Sequence, residues 1–158
     1  ASLRGDWELR VLGRGPESEK LQTLTRELNI QNKISFDRPR PSTEMPTFYQ
    51  QLDVLVVPSR TRANWQEQFG RVLIEAMACG IAVIGSNCGE IPNVIGDAGI
   101  VVPENDPAAL LAALEILRDA RARRAELGAR GRARVLKYFT HQRIAAETYA
   151  IYQKILSR

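Results

Sequence analysis

DVLVVPSRTRANWQEQFGRVLIEAMACGIAVIGSN, residues 53–87, reads as a strand, a long loop, an apolar helix and a second strand in succession. Asp53–Val57 is a continuous apolar run closed by Pro58-Ser59, the pattern of a strand covered on both faces. Ile81–Gly85 repeats that pattern. Between them the segment from about Gly70 to Cys79 is almost wholly core-type (Val72, Leu73, Ile74, Ala76, Met77, Ala78, Cys79), so the helix is expected to be buried on most of its circumference. Glu75 is the exception. An ionised carboxylate there is costly unless it is paired, hydrogen-bonded or turned toward a polar ligand. Its structural alternative is an internal salt bridge or a helix cap.

The alternation continues on both sides. Upstream, Trp7–Leu12 reads as a strand closed by Gly13-Arg14-Gly15, and Pro16 suits a helix start. Leu21, Leu24 and Leu28 recur at helical spacing, Lys33–Phe36 is a short strand, and Asp37–Pro46 is loop before a short helix around Thr47–Gln51. Downstream, Gly89–Ile95 makes a turn and a short helix, and Gly99–Val102 a last strand. Asp106-Pro107 opens a helix as an N-cap followed by Pro. Two more helices follow, about Arg121–Lys137 and Thr140–Leu156, with Ile144, Ile151 and Ile155 spaced to pack inward on the last. Strands alternating with helices and read as apolar runs predict an α/β fold, a Rossmann-like doubly wound parallel sheet with helices on both faces.

At 158 residues, 44% apolar and 25% charged, the chain has the composition of one soluble globular domain, residues 1–158. Neither a membrane span nor a signal peptide is visible. Cys79 and Cys88 make neither a disulfide framework nor a metal knuckle, and Cys79 reads as an apolar core thiol. The net charge of +4 suits phosphate-bearing ligands or anionic surfaces. Much of it falls between Arg118 and Arg134, where arginines alternate with Ala and Leu as on a solvated helix face. His141, the only histidine, lies just past an N-cap and reads as a surface residue. No nucleophile–base set and no cluster with metal-ligand spacing is present, so neither a metal nor another cofactor is expected.

Doubly wound sheets bind ligands beyond the carboxyl ends of their strands. Three such ends can be named: Gly13–Gly15, Ser59–Gly70 and Gly85–Gly89. Gly13-Arg14-Gly15 suits a phosphate-binding turn or simply a tight strand-to-helix turn, since it lacks the further residues of a dinucleotide or P-loop fingerprint. Gln68-Phe69-Gly70 precedes the apolar helix, whose amides and dipole favour a phosphate. Glu67 stands just outside this turn, either as a solvated loop acid or as a hydroxyl acceptor. Carboxylates bind vicinal sugar hydroxyls through charge-assisted bonds, so Glu67 and Glu75 around Phe-Gly suit a nucleotide sugar. Ser59, Ser86 and Asn87 offer further polar contacts, and Glu90 reads either way.

With these residues assembled, the chain resembles the C-terminal, donor-binding domain of a GT-B glycosyltransferase of family 4. The resemblance runs from ELRVLGRGPESEKLQTLTRELNI through DVLVVPS and EQFGRVLIEAMACGIAVIGSNCGEIPNVI to GIVVPENDPAALLAAL; its specific part is E-x7-E, Glu67 to Glu75. It implies that Glu67 is catalytic and contacts the donor hexose, that Phe69-Gly70 meets sugar or phosphate, and that Glu75 holds the ribose hydroxyls. Gly13 would lie in the turn below the donor and Phe36-Asp37-Arg38 near the nucleobase; Ser59 at its strand end and Gln68 in the turn join the candidate donor contacts by their position. The family retains anomeric configuration, needs no metal bound by Asp-x-Asp, and often uses lipid-linked or polysaccharide acceptors. The expected partners are therefore a nucleotide sugar and a glycan or lipid-linked acceptor, and no nucleic acid. The expected location is the cytoplasm, with peripheral membrane contact in the full protein.

The loop Arg60–Gln66 is longer than the family's usual version, and Gln68 replaces a commoner glycine, which suits a role in selecting the hexose. The resemblance also implies that the domain's first strand, with an Arg and a Lys that grip the diphosphate, lies upstream of Ala1, as does an acceptor domain. A chain without them is expected to bind donor weakly and not to turn over, because departure of the nucleoside diphosphate builds charge that must be stabilised. It also leaves a sheet edge uncovered, open to pairing with another chain. The alternatives are half of a nucleotide-sugar epimerase of the same architecture, and a basic module that binds nucleic acid or anionic membrane. The arginines lack interleaved aromatics, which counts against the last.

Overall fold

The structure, a computed structural model, describes residues 2–157. The span expected to form one domain divides into two compact units, Ala1–Met45 and Pro46–Arg158.

In the first unit, β1 (Leu9–Leu12) pairs in parallel with β2 (Ile34–Asp37). Helix α1 (Ser18–Glu27) joins them. The strand begins two residues later than Trp7, whose indole N–H instead donates to the Leu3 carbonyl at 2.8 Å. Leu21, Leu24 and Leu28 line an apolar groove with Leu9, Val11 and Phe36. Asp37 closes the strand end by pairing with Arg10 at 2.8 Å.

In the second unit, β3 (Val54–Val57), β4 (Ala82–Ser86) and β5 (Ile100–Val102) form a parallel sheet in that order. The helices are α2 (Met45–Tyr49), α3 (Arg71–Ala78), α4 (Ile91–Ile95), α5 (Pro107–Asp119), α6 (Arg121–Tyr138) and α7 (His141–Leu156). Strand β4 is buried along its whole length, and its alternating side chains serve two faces. Ala82 and Ile84 enter a core with Ala113 and Leu117 of α5 and Leu127 of α6. On the other face Gly85 lies under Ile91 and Ile95 of α4, which a methyl group would meet at 2.4 and 2.7 Å.

The α/β fold with parallel strands and helices on both faces is as expected; among the described residues its ladders are a two-stranded and a three-stranded parallel sheet, one in each unit. Several finer expectations need correction. Strand β3 is half-buried rather than covered on both faces, because it lies at the edge of its sheet. Helix α3 buries Leu73, Ala76 and Met77, but Val72 is 41% exposed and Glu75 only partly covered, so one stripe rather than most of its circumference faces the core. Cys79 is half-buried; the fully buried thiol is Cys88. Ile144, Ile151 and Ile155 do not pack inward, being 47%, 58% and 62% exposed on a helix with no buried residue. Their spacing marks an apolar stripe correctly, yet nothing in the described residues covers it.

The helix caps formed as expected. Asp106 accepts from the Ala109 N–H at 2.9 Å and Thr140 from the Arg143 N–H at 3.2 Å. Asp106→Ala should cost about 1 kcal/mol, read as a lowered urea midpoint with an unchanged slope.

Candidate functional site

The parallel register brings the carboxyl ends of β3, β4 and β5 to one edge, where polar bonds hold them together. The Ser86 hydroxyl donates to the Ser59 carbonyl, and the Asn87 side-chain oxygen accepts from the Glu104 N–H at 2.7 Å. Thr61 donates its N–H and its hydroxyl to the Glu104 carboxylate at 2.6 and 2.7 Å. The hydroxyl bond and then the backbone bond hold that carboxyl below the usual range. Ser59, Ser86 and Asn87, offered by the sequence as ligand contacts, thus join strand ends to one another. Glu90 accepts from the Asn93 side chain at 2.9 Å.

The loop after β3 returns to the sheet at Glu67. Its carbonyl accepts from the Glu90 N–H at 3.1 Å, and its carboxylate Oε1 from the Gly70 N–H at 3.0 Å. Glu67 is therefore half-buried and anchored, not a solvated loop acid. Gly70 caps α3 in the left-handed conformation, φ +68°, where a side chain would be strained. Where the sequence suggests a phosphate at this helix start, the structure has the Glu67 carboxylate, itself an anion that the helix dipole favours. Phe69 is 44% exposed and packs edge-on against Phe139, with ring centres 6.0 Å apart. Gln68 is exposed.

Glu75 lies one turn further along α3, where its two oxygens have different partners. Oε2 accepts from the Tyr49 hydroxyl at 2.7 Å, and Oε1 stands 3.2 Å from Arg71 Nε. The internal partner that the sequence left open is therefore present twice. Burial, then the bond to Glu75, pushes the Tyr49 phenol above its ordinary range, so it stays a donor.

Gly13 and Arg38 belong to the first unit. Gly13 has φ +131° and donates its N–H to the Asp37 carbonyl at 3.1 Å, which ties the turn after β1 to the end of β2. Arg38 follows β2 and is exposed. These two share one strand-end edge, while Ser59, Glu67, Gln68, Phe69, Gly70 and Glu75 share another within the second unit.

Three features escaped the sequence reading. Tyr49 is one; a carboxylate on an apolar helix signals the need for a partner but not its identity. The second is an open cleft of about 370 Å³ lined by Arg60, Thr61, Arg62 and Asn105, on the same edge as Glu104. The third is what the arginines between 118 and 134 do. Arg124 donates to the Leu117 and Arg118 carbonyls, Arg132 to that of Ala78, and Arg134 to those of Asn93 and Val94. Arg123 and Arg130 pair with Glu126. Three of these arginines thus secure carbonyls of neighbouring helices, while Arg121, Arg123, Arg130 and Arg132 keep the exposure expected of a solvated face. Among the described residues no group of three or more His, Cys, Asp or Glu is placed to hold a metal ion.

The family model described as glycosyl transferases group 1 matches residues 1–134. A GDP-mannose-dependent α-(1-6)-phosphatidylinositol monomannoside mannosyltransferase from Mycolicibacterium smegmatis is 35% identical over 132 residues, covering 80% of this chain and 34% of that protein. Among solved structures, sucrose-phosphate synthase from Thermosynechococcus elongatus superposes with a TM-score of 0.83 at 30% identity, over 95% of this chain and 39% of that one. Anabaena HepE in complex with UDP superposes at 0.82 with 18% identity, over 99% of this chain and 42% of that one, a likeness of fold alone. The α/β architecture with its parallel sheets is that of the C-terminal half of a GT-B fold. The chain spans 34% to 42% of the length of these three proteins.

Proposed function

The chain belongs to the glycosyl transferases group 1 family, and on that premise we propose that it is the donor-binding part of a retaining, metal-independent hexosyltransferase using a nucleoside-diphosphate sugar. One observation carries this reading: Glu67, in the loop that enters α3, and Glu75, on α3 itself, are each anchored by an internal donor, the Gly70 N–H and the Tyr49 hydroxyl. Carboxylates fixed in this way are preorganised acceptors for sugar hydroxyls. Glu67 takes the hexose, with Phe69-Gly70 and Gln68 beside it, and Glu75 the ribose.

The acceptor is a glycan or lipid-linked hydroxyl, and the whole protein acts in the cytoplasm at the membrane surface. No helix among the described residues is long and apolar enough to cross a membrane. The mannosyltransferase relative, named for a phosphatidylinositol mannoside, supports a lipid-linked acceptor. That the same relative is named as GDP-mannose-dependent supports a nucleotide sugar as donor. This chain alone binds donor weakly and does not turn over.

Ligand-observed saturation-transfer NMR with UDP-, GDP- and ADP-sugars tests the proposal. Contact with one nucleotide at millimolar concentration or below is expected, without release of free sugar. No contact with any of the three, or transfer by this chain alone, contradicts it.

A further inference from the structure

The two partners of Glu75 differ in how firmly they are held. Tyr49 is 2% exposed and packs edge-on against Phe48, with ring centres 6.0 Å apart, so its hydroxyl has no water to turn to. Arg71 has a side chain 82% exposed, and an exposed i,i+4 pair of this kind exchanges readily with solvent. One carboxylate oxygen is therefore fixed and the other is exchangeable. A carboxylate bound at only one place would have to be ordered when a ligand arrives, at an entropic cost. The buried phenol removes that cost in advance, since with Oε2 committed to it, rotation of the carboxylate is stopped and Oε1 is the oxygen left to face a ligand.

We propose that Tyr49 is a positioning residue for donor binding, fixing Glu75 Oε2 so that Oε1 is presented to the ribose hydroxyls while Arg71 yields to them. This rests on the reading of Glu75 as the ribose acceptor, and the test separates the two. The 158-residue chain and its Tyr49→Phe variant are titrated with UDP, GDP and ADP, and the one that binds is compared with its 2′,3′-dideoxy counterpart. Wild type is expected to bind the ribonucleotide about tenfold or more tighter than the dideoxynucleotide. Tyr49→Phe is expected to lose about tenfold toward the ribonucleotide and nothing toward the dideoxynucleotide.

Equal losses toward both ligands mean that Tyr49 acts only through the fold, and an unchanged ribonucleotide affinity means that it does not position Glu75; either overturns the proposal. A wild type that fails to distinguish the two ligands, or binds none, overturns the ribose reading and this proposal with it. A second measurement guards against a folding defect in the single variant. On a Glu75→Ala background, where the hydroxyl has already lost its partner, Tyr49→Phe is expected to change ribonucleotide affinity per folded molecule no further. Additive losses there overturn the proposal.

Discussion

Glu75→Gln is expected to weaken nucleotide binding by roughly 10- to 100-fold while leaving the melting temperature nearly unchanged. Glutamine keeps the shape of the side chain and one oxygen able to accept from Tyr49, but it removes the charge. Hydrogen bonds to a charged group contribute about 1.5–3 kcal/mol against about 0.5–1.5 for neutral ones, a difference of about 1–1.5 for each, so weakening the bonds to one or two ribose hydroxyls loses on the order of 1–3 kcal/mol. On the stability side the exposed Arg71 pair contributes about 0–1 kcal/mol, and the weaker bond from Tyr49 is offset by the smaller cost of covering a neutral amide than a charged carboxylate. Alanine is the poorer probe. It strands the hydroxyl of a tyrosine that is 2% exposed, at about 1–3 kcal/mol, and so mixes a folding defect into the binding result. Calorimetric titration beside thermal unfolding separates the two effects. Unchanged nucleotide affinity in Glu75→Gln would identify Glu75 as a structural link between α3 and α2 and nothing more.

What the sequence made legible follows from the range over which each signal acts. Asp106 and Thr140 were readable as caps because an N-cap bond spans three residues and its partner is fixed by the helix itself. The apolar runs at 53–57 and 81–85 marked two strands, but the run alone could not say that one is an edge and the other central, since that depends on which strand lies alongside. Glu75 stood out as a carboxylate on an apolar helix, whereas its partner Tyr49 lies 26 residues away and is brought there only by packing. The arginines between 118 and 134 read as a wet face because composition records charge and not geometry; two of them, Arg132 and Arg134, reach carbonyls of α3 and α4 forty or more positions away. Ile144, Ile151 and Ile155 show the converse, a stripe that periodicity finds but whose covering surface it cannot supply.

Two glycines that meet backbone oxygens should separate the fold from the site. A methyl group on Gly128 of α6 would lie 2.0 Å from the Gly80 carbonyl oxygen, and one on Gly89 would lie 1.9 Å from the Glu67 carbonyl oxygen. Neither obstacle is a side chain able to swing aside, so the surrounding backbone must move. For Gly128→Ala the gain in helix propensity, about 0.5–1 kcal/mol, opposes an overpacking cost of about 1–3 kcal/mol that backbone contact drives to its upper end. The steric term wins, and the melting temperature should fall by on the order of 5–10 °C. Gly89 gains nothing from the exchange. It sits at φ +55° in a turn, so alanine adds about 1–2 kcal/mol of left-handed strain to the collision. The variants diverge in binding. Gly128 abuts the turn after α3, at the opposite end of that eight-residue helix from Gly70, a separation of about 12 Å. Nucleotide affinity per folded molecule should therefore survive Gly128→Ala. Gly89→Ala displaces the main chain at Glu67 and with it the carboxylate that Gly70 anchors, so affinity for a nucleotide sugar should drop about tenfold or more, with a smaller loss for the nucleotide lacking its hexose. Equal binding losses in the two variants would mean that donor recognition follows general stability and not the placement of Glu67.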